Sequence, residues 1–130
     1  ILPYIYNMEE VMNCADLVVS RSGAMTITEI SVVGKPSIFI PFPYATENHQ
    51  EYNARVLENV NAAKIILDSK LDEKILNSTI NEIINDKSKM EEMGKNAHKV
   101  SIKDVEDKIY VELCNILRTE KPWKVQDYNI

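Results

Sequence analysis

Within residues 20–54 the chain sets out a Ser22-Gly23-Ala24 turn, a carboxylate at Glu29, and the polar run His49-Gln50 followed by Asn53. Each of these suits a different part of a nucleotide sugar. A small-residue turn that opens a helix presents free backbone N–H groups at the positive end of the helix dipole, where phosphate binds. Gly23 lets a ligand approach the backbone closely, and Ser22 and Thr26 can add hydroxyl donors. A carboxylate such as Glu29 can accept from both hydroxyls of a ribose. Gln50 and Asn53 are three apart and share a helix face, and their amides both donate and accept, as sugar hydroxyls do.

Each feature also has a plainer reading. The turn has neither the GxGxxG spacing of a dinucleotide fold nor a Walker lysine, so it also fits an ordinary strand-to-helix turn. Thr26-Ile27-Thr28-Glu29 matches a capping box, in which Glu29 reaches back to a backbone N–H and is purely structural. Gln50 and Asn53 also fit a solvated helix start capped by Asn48. His49 is of the type that serves as a general base, yet no carboxylate partner is assignable, and a hydrogen-bonding or loop-ordering role suits it better. His98 falls in a charged helix and reads as exposed, and Lys87, Lys89, Lys95 and Lys99 alternate with acids as on a solvated helix face. No His, Cys and carboxylate cluster has metal-site spacing, so neither a protein-held metal nor a cofactor is expected.

The elements that must position these residues follow from the apolar pattern. Leu2-Pro3-Tyr4-Ile5 reads as a short strand or strand end, and Asn7 can cap a helix through Met8, Val11 and Met12. Leu17-Val18-Val19 and Ser37-Ile38-Phe39-Ile40 are short continuous apolar runs, as in parallel strands buried on both faces. Between them a helix is expected over 24–33, ended by Gly34-Lys35-Pro36. A further helix over 48–59 and a strand over 63–67 follow. From Asp72 the pattern is helical. One stripe is Ile75, Thr79, Ile80, Ile83 and Ile84, and a short helix carries Met90, Met93, Ala97 and Val100. A long stripe of Ile102, Val105, Ile109, Leu113 and Ile116 completes it. Strands alternating with helices argue for an α/β fold with a parallel sheet.

The whole chain has 130 residues, 15 of them basic and 20 acidic, for a formal net charge of −5, which argues against a general nucleic-acid binder. One domain is expected over 1–118, with a tail over 119–130 that reads either as disordered or as docked through Trp123. Cys14 and Cys114 read as two buried free thiols of a reducing cytoplasm. No apolar run reaches the ~18 residues of a membrane span, and no signal peptide is visible. Ile1 opens in a strand-like run without an initiator Met, which reads as a piece of a longer protein.

Taken together, ADLVVSRSGAMTITEI, GKPSIFIPFP and HQEYNA resemble the donor-domain signature of the MurG-type N-acetylglucosaminyltransferases of bacterial peptidoglycan synthesis, and the likeness runs over about 1–117. The resemblance implies a Rossmann-like parallel sheet with flanking helices, as part of the C-terminal domain of a GT-B glycosyltransferase. It implies an inverting transfer of N-acetylglucosamine from UDP-N-acetylglucosamine to lipid I, forming lipid II at the cytoplasmic face of the bacterial membrane. Carried over residue by residue, Ile5 matches the position whose backbone meets uracil. Ala24, Met25 and Thr26 match the helix start beside the diphosphate and nucleoside, Glu29 the ribose-binding acid, Gln50 the amide that reads sugar hydroxyls, and Asn53 its neighbour. His49 belongs to the common His-Gln pair of that family.

The family's acceptor-binding domain, with its catalytic base, has no counterpart here, nor has the Gly-rich turn that opens the donor domain. No catalytic residue is therefore assigned. The chain alone is expected to be a soluble, inactive piece that can self-associate through an exposed sheet edge. A related GT-B enzyme acting on diacylglycerol, and a non-catalytic α/β interaction module, remain alternatives.

Overall fold

In the computed structural model, which describes residues 1–101 and 105–117, three short strands form one sheet: β1 (Val18–Ser20), β2 (Ser37–Phe39) and β3 (Ala63–Ile65). Both pairings are parallel and the order is β1-β2-β3, with Val18 opposite Ser37 and Ser37 opposite Ala63. The helices are α1 (Met8–Cys14), α2 (Ala24–Val33), α3 (His49–Asn59), α4 (Glu73–Ile84), α5 (Lys87–Val100) and α6 (Val105–Leu117). Helices α2 and α3 are the crossovers of two consecutive βαβ units. The predicted α/β class and parallel sheet are therefore the observed ones.

The core has two sides because strand side chains alternate. Phe39 of β2 packs in one cluster with Met12, Ile30, Ala54, Leu57 and Ala97, from α1, α2, α3 and α5. Ile38, its neighbour in sequence, packs in a second cluster with Ile66, Ile83 and Met93, backed by Leu76, Ile80 and Met90. All three residues of β2 are buried, as a central parallel strand requires. Strand β1 lies at the edge instead, and Val19 stays 41% exposed, which corrects the expectation of burial on both faces.

Other departures have local causes. Residues 2–5 join no strand, since the sheet holds only β1 to β3; Ile1, Leu2 and Tyr4 are exposed, and Pro3 lacks a ladder donor. Asn7 precedes α1 without capping it, and its side-chain amide donates instead to the Glu10 carboxylate at 2.7 Å. In α4, Asp72 accepts from the Ile75 N–H at 2.7 Å and fixes the start of the helix. The inward face is then Leu76, Ile80 and Ile83, while Ile75 and Ile84 are exposed. Helix α5 is not short but 14 residues long, capped by Asp86 on the Lys89 N–H. On α6, Ile109, Leu113 and Ile116 are exposed and Cys114 is buried, whereas Cys14 is exposed rather than buried. Ile102 and the tail over 119–130, with Trp123, lie outside the described residues.

Helices α2 and α5 meet at a pair of glycines. Gly34 ends α2 in the left-handed conformation, φ 69°, as the sequence predicts. A side-chain carbon placed on Gly94 would lie 2.5 Å from the Gly34 carbonyl oxygen, a backbone atom with little room to retreat. His98, one turn on, donates from Nδ1 to the Val32 carbonyl at 2.9 Å, so this exposed histidine ties α5 to α2. Gly94→Ala is expected to force the two helices apart and lower stability by about 1–3 kcal/mol, the usual cost of overpacking. A urea midpoint equal to that of the parent chain would refute this close-approach account.

Candidate functional site

Because all three strands run in one direction, each crossover helix starts at the carboxyl edge of the sheet. Helix α2 begins after β1 and α3 after β2, so both N-termini come to that edge. Neither has a side-chain cap. Gly23 is the N-cap of α2 in extended conformation, and the N–H groups at the helix start are left for solvent or a ligand. Ala24 and Met25 are exposed there, and Thr26 is half-buried. Gly23 has φ −62°, which any residue adopts, and a carbon added to it would meet only Thr26 Oγ1 at 3.9 Å. Packing and dihedral strain within the chain therefore do not demand glycine at this position.

With Gly23 as cap, Thr26 is the third residue of α2 and Glu29 the sixth, so the capping box is not formed. Thr28 Oγ1 instead donates to the Ala24 carbonyl at 3.0 Å. The Glu29 carboxylate is exposed and pairs with no group among the described residues. It lines a groove of about 440 Å³ between α2 and α1, shared with Met8, Met12 and Val33. Ile5, half-buried, lies in the segment that leads into α1 and is not among the residues that line that groove. A larger groove, about 630 Å³, lies around Gly34, Pro36, Gly94 and His98, before the start of β2 and away from the carboxyl edge. It is the open seam between α2 and α5.

The amide cluster sits at the start of α3. Ser22 is fully buried, and its hydroxyl donates to the Gln50 carbonyl at 2.7 Å. Its proton is thus held by the protein, and Ser22 acts as a brace between the two helix starts. The Gln50 side-chain oxygen accepts from the Phe42 N–H at 3.0 Å, which leaves the Nε2 donors free. The same helix start carries Asn53, half-buried, whose side-chain amide has no hydrogen-bond partner among the described residues. His49 Nδ1 donates to the Thr46 carbonyl at 2.6 Å, which orders the turn before α3 and matches the loop-ordering role.

That turn is strained. Glu47 and Asn48 both have positive φ, 51° and 56°, uncommon for residues other than glycine. Asn48 does not cap α3 as the sequence suggests; its amide donates to Glu51 Oε2 at 3.0 Å. This bond, and next that from Arg55, holds the Glu51 carboxyl below its usual range. A depressed carboxylate pKa contributes stability above the unfolded value and loses it as the pH falls through the folded one.

Sequence reasoning missed Arg21. Its guanidinium donates from Nη1 to the Ile40 and Pro41 carbonyls, each at 3.1 Å, and to Asp68 at 2.6 Å. It also sits 5.8 Å from the centre of the Phe42 ring. A lone arginine between Ser20 and Ser22 shows nothing of this in sequence, because its partners are 19 to 47 residues away. Among the described residues no group of three or more His, Cys, Asp or Glu side chains is placed to hold a metal. No helix there is long and apolar enough to cross a membrane.

The family model for the glycosyltransferase family 28 C-terminal domain matches residues 1–109. The chain belongs to this family. Every candidate residue from Ile5 to Asn53 falls inside the family 28 match. A protein of Acetivibrio thermocellus, called UDP-N-acetylglucosamine--N-acetylmuramyl-(pentapeptide) pyrophosphoryl-undecaprenol N-acetylglucosamine transferase, is 43% identical over 120 residues, 92% of this chain and 32% of the relative. A protein of the same name from Desulforamulus reducens is 50% identical over 100 residues, 77% of this chain and 27% of the relative. The crystal structure of Acinetobacter baumannii MurG is similar with a TM-score of 0.80 and 30% identity, over 88% of this chain and 33% of that one. The family 28 chain thus spans about a third of the length of these relatives.

The brace is testable without ligand. Ser22→Ala removes one buried hydrogen bond and is expected to cost about 1 kcal/mol. Urea unfolding reads the loss, and an unchanged midpoint would mean that the two helix starts are held together by other contacts.

Proposed function

We propose that this chain is the donor-binding part of an inverting glycosyltransferase that moves N-acetylglucosamine from UDP-N-acetylglucosamine to lipid I, forming lipid II. The observation that carries the reading is the pairing of an uncapped helix start at Gly23 with an unpartnered carboxylate at Glu29, one and a half turns along the same helix. The likeness to the named transferases of Acetivibrio thermocellus and Desulforamulus reducens supplies the donor and the acceptor. In this reading the diphosphate lies at the α2 N-terminus, against the N–H groups of Ala24, Met25 and Thr26, with Gly23 keeping the approach open. Glu29 takes the ribose hydroxyls, and the Ile5 backbone takes the uracil. Gln50 and Asn53 meet the sugar, and His49 and Ser22 hold the α3 start in place.

The chain's share of the chemistry is electrostatic. As the glycosidic bond breaks, negative charge grows on the UDP leaving group, and the fixed N–H groups and dipole of α2 stabilise it without reorganising. Glu29 and the amides hold the donor in one orientation, which lowers the entropy cost of reaching the transition state. The group that deprotonates the acceptor hydroxyl belongs to an acceptor-binding domain, and the transfer occurs at the cytoplasmic membrane face. Nothing in this scheme draws on a cofactor or a protein-held metal.

A thermal-shift titration with UDP, UDP-N-acetylglucosamine and ADP tests the proposal. At a ligand concentration a hundredfold above Kd, binding stabilises the chain by about 2.7 kcal/mol. The uridine nucleotides are expected to raise Tm and ADP is not. Glu29→Ala is expected to abolish the shift while ligand-free stability stays within about 0.5 kcal/mol, as for an exposed side chain without partners. A response shared equally by ADP, or retained by Glu29→Ala, would overturn the assignment.

A further inference from the structure

Arg21 grips the far end of the peptide unit that orients Gln50. In Pro41-Phe42-Pro43 only Phe42 carries a backbone N–H, because the two prolines have none. That N–H is the donor to Gln50 Oε1 at 3.0 Å. It shares a planar peptide with the Pro41 carbonyl, and in a trans peptide the two groups point in opposite directions. Arg21 Nη1 donates to that carbonyl at 3.1 Å, and to the Ile40 carbonyl before it at the same distance. Asp68, just beyond β3, holds the guanidinium at 2.6 Å, and the Phe42 ring lies 5.8 Å away. One plane therefore has Arg21 at its oxygen end and Gln50 at its N–H end. If the plane turned, Gln50 would lose the bond that separates its oxygen from its NH2 end.

We propose that Arg21 is a positioning residue for sugar recognition. By fixing the Pro41–Phe42 peptide it fixes the Gln50 amide, with Oε1 engaged and Nε2 free to donate to a hydroxyl oxygen of the donor sugar. This rests on reading Gln50 as the amide that meets the sugar. The Arg21 and Asp68 side chains are 49% and 35% exposed, and an ion pair of that exposure adds little to folding stability. All three bonds leave the single Nη1 nitrogen, and two of them end on the carbonyls that lead into Phe42. Lysine keeps the charge but as a compact, strongly hydrated ammonium on a flexible stem, and holds the two carbonyls less well.

The test compares UDP with UDP-N-acetylglucosamine on this chain and on Arg21→Ala, Arg21→Lys, Asp68→Asn, Gln50→Ala and the Arg21→Ala/Gln50→Ala double variant. Calorimetry reads affinity, and NMR of the ligand-free chain reads exchange of the Phe42 amide. Arg21→Ala is expected to leave UDP affinity within about twofold, the scatter of uncoupled sites. It is expected to weaken UDP-N-acetylglucosamine about threefold to tenfold, the size of one lost hydrogen bond. Gln50→Ala should show the same loss and the double variant no further loss, with Arg21→Lys and Asp68→Asn in between. Phe42 should exchange faster in Arg21→Ala while the β3 amides keep their rates. An equal fall in UDP affinity would overturn the proposal, because Arg21 would then meet the diphosphate itself. So would additive losses or an unchanged Phe42 rate. If the parent chain bound neither nucleotide, the donor-site reading would fall, and the Phe42 exchange rates would still decide the Arg21 link.

Discussion

Parallel pairing of β2 with a strand on each side is the constraint on which the molecule depends. A parallel neighbour can be reached only by a crossover, and each crossover here is a helix. Strands that run the same way send every crossover off from the same edge. Two helix starts thereby face one edge of a three-stranded sheet, although their residues are separated by a helix and a strand in sequence. Burial enforces the arrangement: Ser37, Ile38 and Phe39 are all inaccessible, so both faces of β2 must be covered by helices.

Covering both faces with so few residues requires close approach. Helix α5 serves both clusters, with Ala97 packed on the Phe39 side and Met93 on the Ile38 side. It comes near enough only because Gly94 lies against the Gly34 carbonyl. Gly34 thus meets two demands, the left-handed end of α2 and the contact with α5. The seam lies at the end of α2 opposite its uncapped N-terminus, so the close packing and the uncapped N–H groups draw on different residues.

At the carboxyl edge the polar groups are divided between holding and waiting. Ser22, His49, the Gln50 oxygen, Arg21 and Asp68 are engaged with the protein. Glu29, Asn53 and the N–H groups at the α2 start are not. The two left-handed residues, Glu47 and Asn48, store strain beside the engaged set, where the chain must turn sharply from Pro43 into α3. Such a division, with rigid supports behind uncommitted groups, is what a preorganised binding edge requires.

Much of this was legible from local pattern. The helix over 24–33 with its glycine end, the apolar runs at β1 and β2, and the sequence blocks that carry the family resemblance all depend on residues close in sequence. The apolar period, the turn residues and the cap preferences act over a few residues, so the chain itself determined them. The candidate site residues were likewise visible as types at a spacing. Their states were not. Glu29 reads in sequence both as a ribose-binding acid and as a capping carboxylate, and it caps nothing among the described residues, because the cap falls at Gly23 rather than Thr26. Ser22 reads as a donor for a ligand and is buried on the Gln50 carbonyl. Arg21 carried no signal. The inward face of α4 and the division of Gln50 into an engaged oxygen and an NH2 without a partner among the described residues were decided only by tertiary structure. Each depends on a partner brought close by the crossovers, and sequence spacing carries no record of that distance.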